Sequence, residues 1–120
     1  MADTSASLGT QQLRALRVLG YLFLRMGQFA RARRLFAALA ALDPGDLHAR
    51  CCLAHACIRL EDGEAALHTL TGLGPGDPLP GGDTILHLLR ARAYRLIGDE
   101  ADASEAASAF WKTRNTGDHQ

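Results

Sequence analysis

Apolar positions in this chain recur with a helical period, in blocks set apart by turn residues. Leu16, Leu19, Gly20 and Phe23 share one helical face, Gly27 interrupts it, Ala32, Phe36 and Leu39 resume the period, and Asp43-Pro44 closes the block. This predicts a helix, a turn and a second helix folded back on the first. Gly20 and Ala32 are small where antiparallel helices must approach closely, and Phe23 and Phe36 supply the bulk that wedges between them.

The same reading extends along the chain. Thr10 is expected to cap a first helix reaching Met26, and residues 28–42 form its partner, ended by Pro44, which cannot continue a helix. Asp46 caps a third helix over 47–60, Glu61-Asp62-Gly63 turns the chain, and residues 64–73 make a shorter fourth helix. Residues 72–82, rich in Gly and Pro, predict a long loop, read either as a tolerated insertion or as a segment that closes on a ligand. Asp83 or Thr84 then caps a fifth helix over 85–97, and a sixth runs from Glu100 to about Thr113. Residues 1–9 and 114–120 read as flexible ends around one domain over 10–113.

The block repeats. A shift of 34 residues brings Leu19-Gly20 onto Leu53-Ala54, Ala32 onto Ala66, Phe36 onto Leu70, Leu39 onto Leu73 and Pro44 onto Pro78. A further shift of 37 brings Ala54 onto Ala91, Cys57 onto Tyr94, Glu61 onto Gly98 and Ala66 onto Ala103. These residues resemble the tetratricopeptide repeat (TPR), whose unit of about 34 residues is a helix–turn–helix with small and aromatic positions in this order. Leu16 stands where that pattern has its leading Trp. The resemblance implies an all-α fold of three repeats, about 13–46, 47–80 and 83–113, stacked as a short right-handed superhelix with a concave groove.

In such an array the first helix of each repeat lines the groove. Carried onto this sequence, the resemblance selects Arg14, Arg17, Tyr21, Leu24 and Arg25, then His48, Cys51, His55, Ile58 and Arg59, then Ile85, Leu88, Arg92, Arg95 and Leu96 as partner-binding residues. A cationic set over an apolar floor suits a peptide carrying carboxylates or a free C-terminus. The bland alternatives are that Leu24, Ile58 and Leu88 are core between repeats and that Arg17, Arg92 and Arg95 are simply solvated.

Charge sharpens this picture. The net charge is zero, yet residues 1–60 carry eight Arg against three Asp, while the remainder carries five basic against ten acidic residues. Lys112 is the single lysine, so the basic character is that of arginine, suited to bidentate contacts with carboxylates or phosphates; a coding bias toward Arg would leave the same imprint. Nucleic-acid binding rests only on Arg31, Arg33, Arg34 and their neighbours, without a recognised motif and against an acidic second half, so no nucleic-acid partner is expected. No stretch reaches about 20 apolar residues and the opening residues lack a signal-peptide pattern, which predicts a cytoplasmic protein without membrane insertion.

Candidate chemistry is sparse. Cys51, Cys52 and Cys57 share one helix and read as reduced packing residues. Cys52 and His55 are close enough in sequence to touch, yet nothing else supplies a catalytic constellation, so no catalytic residue and no cofactor is expected. His48, Cys51, Cys52 and His55 offer chelating i,i+4 pairs, but one rigid helix seldom surrounds a tetrahedral ion, so no metal is expected either. Phe110 falls near a core position, and Trp111, the only tryptophan, either caps the array or belongs to an interface.

Chain size, three repeats and the stretches LGYLFLRMGQFARARRLFAALAALDP and HARCCLAHACIRL resemble the TPR chaperones of bacterial type III secretion, most nearly the small SctY (YscY) family. That resemblance implies a cytosolic chaperone that holds a small SctX-like export substrate, with the export gate as a further contact. Two other readings stay open: a chaperone of the translocator proteins of the same system, and a TPR assembly module that forms a homodimer.

Overall fold

The computed structural model describes residues 9–74, 76–79 and 81–118, so the expected flexible start over 1–8 lies outside the described residues. Six helices follow in order: α1 (Thr10–Arg25), α2 (Phe29–Leu42), α3 (Leu47–Arg59), α4 (Gly63–Thr69), α5 (Gly82–Leu96) and α6 (Glu100–Asp118). No strand occurs among the described residues, and the fold is an all-α stack of three helical hairpins.

Each hairpin turns in the same way. The N–H of residue 28, 62 or 99 donates to the carbonyl five residues back (Phe23, Cys57, Tyr94), and the N–H of residue 27, 61 or 98 donates to Leu24, Ile58 or Arg95. This is the paired hydrogen bonding of a Schellman turn, which needs a left-handed residue just past the helix. Gly27 (φ 75°) and Gly98 (φ 83°) adopt that conformation freely, whereas Glu61 (φ 63°) adopts it with a Cβ. Asp62 and Asp99 then cap the second helices, accepting from the N–H groups of Ala65 and Asp102.

Helix ends differ from expectation for identifiable reasons. Gly9 rather than Thr10 is the N-cap of α1, and the Gln12 side chain accepts from its N–H. Helix α4 stops at Thr69 rather than Leu73. The Thr69 carbonyl accepts from Arg50 of α3 (3.1 and 2.9 Å), and Arg90 of α5 donates to the carbonyls of Leu70 and Leu73. Helix α5 begins at Gly82, earlier than Asp83 or Thr84 could cap it, because Gly81 in the left-handed region turns the chain into it. Helix α6 continues through 114–118, which were expected to fray, with Thr113 donating to the Ala109 carbonyl.

Two cores hold the stack. One gathers Ala32, Phe36 and Leu39 of α2 with Ala49 and Ala56 of α3, and Leu13, Leu16, Phe23 and Leu24 of α1 pack on it. The other joins Ala54, Cys57 and Ile58 of α3 to Ala66, Leu70, Leu73, Leu79, Leu86, Leu89 and Ala93. Leu73 and Leu79 anchor the connection between α4 and α5 in this second core, while Thr71, Gly72, Gly76 and Pro78 between and beside them are exposed.

Close helix approach depends on two glycines. A Cβ on Gly20 would lie 2.6 Å from the ring of Phe36, which is fully buried, and one on Gly63 would lie 2.7 Å from the Ala93 carbonyl oxygen. The second clash is with backbone, which cannot rotate away. Gly63→Ala should therefore lower stability by about 1–3 kcal/mol as α4 is pushed off α5. Glu61→Gly should instead raise it by about 1 kcal/mol by relieving the left-handed strain. Denaturant midpoints of the two variants measure both effects; a Glu61→Gly midpoint at or below the parent would contradict the strain argument.

Candidate functional site

Helices α1, α3 and α5, the first of each hairpin, present a common open hollow of about 350 Å³. Tyr21 and Leu24 of α1, His48, Cys51, Cys52 and His55 of α3, and Ile85 and Leu89 of α5 line it. Its floor is apolar because these helices turn their small and aliphatic positions toward one another. The two histidines are its polar features.

The histidines are held by aromatic edges. Tyr21 meets His48 edge to face at 5.1 Å, with its hydroxyl 3.3 Å from His48 Nδ1, and also packs edge-on against Phe36 at 6.1 Å. His55 meets Phe29 at 6.5 Å, and Arg59 stacks over the same Phe29 ring at 4.7 Å. Burial lowers the pKa of both imidazoles; Arg17 adds to this at His48, and Arg59 and Arg92 add to it at His55. Both are thus neutral near pH 7, and the hollow is apolar.

The residues expected to line a groove divide into groups. Tyr21, Leu24, His48, Cys51, His55 and Ile85 do come together in this hollow. Leu88, Arg92 and Arg95 line a second, smaller one of about 230 Å³ with Ala91, Ala107, Phe110 and Trp111. Arg17 is committed elsewhere: it pairs with Asp46 at 2.5 Å, tying α1 to the cap of α3, and its Nε is left without a partner. Ile58 is buried in the second core, as the bland alternative held, and Cys51, although at the hollow, is only 4% exposed. Arg14, Arg25 and Leu96 are exposed and line neither hollow, and Arg59 is exposed over Phe29.

Cys52 and Leu89 were missed. Each lies four residues beyond a selected position, His48 and Ile85, so one more step of the helical period finds them. At the same boundary between the first and second hairpins Arg33 of α2 pairs with Asp62, the cap of α4, at 3.0 Å, one helix along from the Arg17–Asp46 link.

Cys52 touches His48 rather than His55, with Sγ 4.0 Å from Nδ1. Burial, with Cys51 and Asp46 nearby, pushes its thiol up to about 12, so it is held protonated and is not an activated nucleophile. Burial raises the Cys51 and Cys57 thiols too.

The tetratricopeptide repeat family profile matches residues 23–91, from the end of α1 through most of α5. The chain belongs to the tetratricopeptide repeat family. No curated protein matches the chain. The TPR assignment agrees with the hairpin stack and identifies the chain as a protein-binding module, since TPR units act by presenting surfaces to other polypeptides. No helix among the described residues is long and apolar enough to cross a membrane.

At pH 8 the three thiols of the native TPR protein should react with an aromatic disulfide at least about a hundredfold more slowly than after unfolding, because little thiolate is present. Stopped-flow absorbance gives both rates. A fast native phase would reopen Cys52 as a reactive group.

Proposed function

We propose that the protein is a chaperone of a bacterial type III secretion system that seats a segment of a small SctX-like export substrate across the hollow of α1, α3 and α5. The observation that carries this reading is the apolar hollow itself, shared by the first helices of all three hairpins, with Arg59 and Arg92 close enough to act on its His55. An apolar side chain of the substrate would fill the space between Tyr21, His48, His55 and Ile85. Its carboxylates would reach these arginines, which set register while apolar burial supplies affinity. The type III assignment rests on the sequence resemblance to the SctY family and on the size of the array. Binding keeps an aggregation-prone segment out of water by mass action.

The test is affinity capture of the tagged protein from its own bacterium, followed by mass identification and titration of the purified partner. A small stoichiometric chain encoded beside a secretion apparatus is the expected result. Tyr21→Ala with Arg92→Glu should weaken that complex at least about tenfold while leaving the isolated fold helical. A clean homodimer with no bound chain, or affinity untouched by the double substitution, would overturn the reading.

The imidazoles add a sign. An apolar anchor covering His48 and His55 lowers their pKa values further, so binding should weaken as pH falls below the ordinary imidazole value, through the lowered pKa values of the free protein. A carboxylate seated between them would raise those values and give the opposite slope. Calorimetric titration at several pH values separates the two.

A further inference from the structure

A repeat array ends cleanly only where the outer face of its terminal helix is polar. The C-terminal end comes near that condition: the exposed face of α6 carries Ser104, Glu105, Ser108 and Lys112, with Trp111, 55% exposed, as its large apolar side chain. The N-terminal end does not. On α1, Val18 is 53% exposed, Leu22 49% and Met26 66%, at spacings of four residues, with Leu19 beside them at 41%. None of these four residues lines the hollow, which Tyr21 and Leu24 of the same helix do. Among the described residues, nothing packs on this stripe to require large apolar side chains there.

The charges around the stripe narrow what covers it. Residues 10–42 contain six arginines and no acidic residue. Arg17 and Arg33 are neutralised by Asp46 and Asp62, whereas Arg14, Arg25, Arg31 and Arg34 are exposed and have no ion pair among the described residues. Arg14 lies one helical turn before Val18, and Arg25 one turn after Leu22. A second copy docked α1 against α1 would bring arginine onto arginine, with no carboxylate from either hairpin to offset it.

We infer that the outer face of α1 is a second docking surface, separate from the hollow, and that its occupant is an acidic amphipathic helix of another protein. The helix lies where the second helix of a preceding repeat would pack. Its apolar stripe covers Val18, Leu22 and Met26, and Asp or Glu on its flanks pairs with Arg14 and Arg25. With both surfaces in use the protein joins two polypeptides, one in the hollow and one on its basic end.

The test uses the intact protein and two fluorescein-labelled helical peptides of about 18 residues, each with Leu at every third or fourth position, one flanked by Glu and its twin by Lys. Fluorescence anisotropy should show the Glu peptide bound at least about tenfold more tightly than its twin. Leu22→Ser with Met26→Ser should remove at least about tenfold of that affinity, and Arg14→Glu with Arg25→Glu should invert the preference between the peptides. All four positions are exposed, and circular dichroism checks that each variant stays helical. Tyr21→Ala with Arg92→Glu should leave peptide binding unchanged, which separates this surface from the hollow. Equal binding of both peptides would overturn the inference, as would binding that survives Leu22→Ser with Met26→Ser. So would a peptide-free dimer, seen by sedimentation, that those two serines dissolve, because the face would then belong to a second copy.

Discussion

The first two hairpins and α5 are built against α3, the one helix that belongs to both cores. Ala49 and Ala56 face the first hairpin, and Ala54, Cys57 and Ile58 face α4 and α5. A helix apolar on opposite sides has no stable form in isolation, and its burial makes the first and second hairpins one cooperative unit. Small side chains make this double burial feasible. The small residues of α3 let its neighbours approach closely, so Phe36, Leu70 and Leu86 can fill the remaining space completely. The hollow follows from the same arrangement: the side of α3 that carries His48 and His55 is left open between α1 and α5.

The arginines show how charge is divided between structure and surface. Arg17 and Arg33 bridge successive hairpins through the aspartates that cap α3 and α4. Arg50 and Arg90 take up carbonyls at the end of α4, replacing the hydrogen bonds that a longer helix would have made. Asp62, with the Ala65 N–H and Arg33 both favouring its charged form, has its pKa held below the ordinary aspartate range. Its contribution to stability is therefore present above that range and lost as pH falls through its depressed pKa. Of the arginines outside these links, Arg92 and Arg95 line the smaller hollow, Arg59 and Arg114 stack over Phe29 and Trp111, and Arg14, Arg25, Arg31 and Arg34 are exposed on the first hairpin, where a carboxylate-bearing partner has most to offer.

The repeat, the six helices and most of the hollow were legible in the sequence because they depend on local period and punctuation. Phe36, Gly20 and Ala32 occupy the roles that their spacing assigns, and six of the groove residues meet where the first helices converge. What escaped depends on contacts between distant residues. Arg17 looks like a groove cation until Asp46 is seen beside it, 29 positions along. Helix α4 looks longer until Arg50 and Arg90 are seen to hold its last carbonyls. The packing of Leu79 is invisible in a stretch of glycine and proline whose composition suggests only a loop.

The two ends of the array differ in a way that bears on how so short a stack persists. Helix α6 is rich in alanine and buries little bulk, yet it runs 19 residues, and apart from Trp111 its exposed face is mostly polar, so water can cover most of it at small free-energy expense. Helix α1 has the opposite character. Its inner face packs Leu13, Leu16 and Phe23 on a well-filled core, and its outer face leaves Val18, Leu22 and Met26 in water. A terminal helix of that kind is stable alone because of its inner face, and any chain that covers the outer face adds apolar burial without disturbing the inner packing. Its arginines then decide which chain does so. The exposed apolar stripe supplies affinity for many helices, and the absence of any carboxylate over residues 10–42 selects the acidic ones among them.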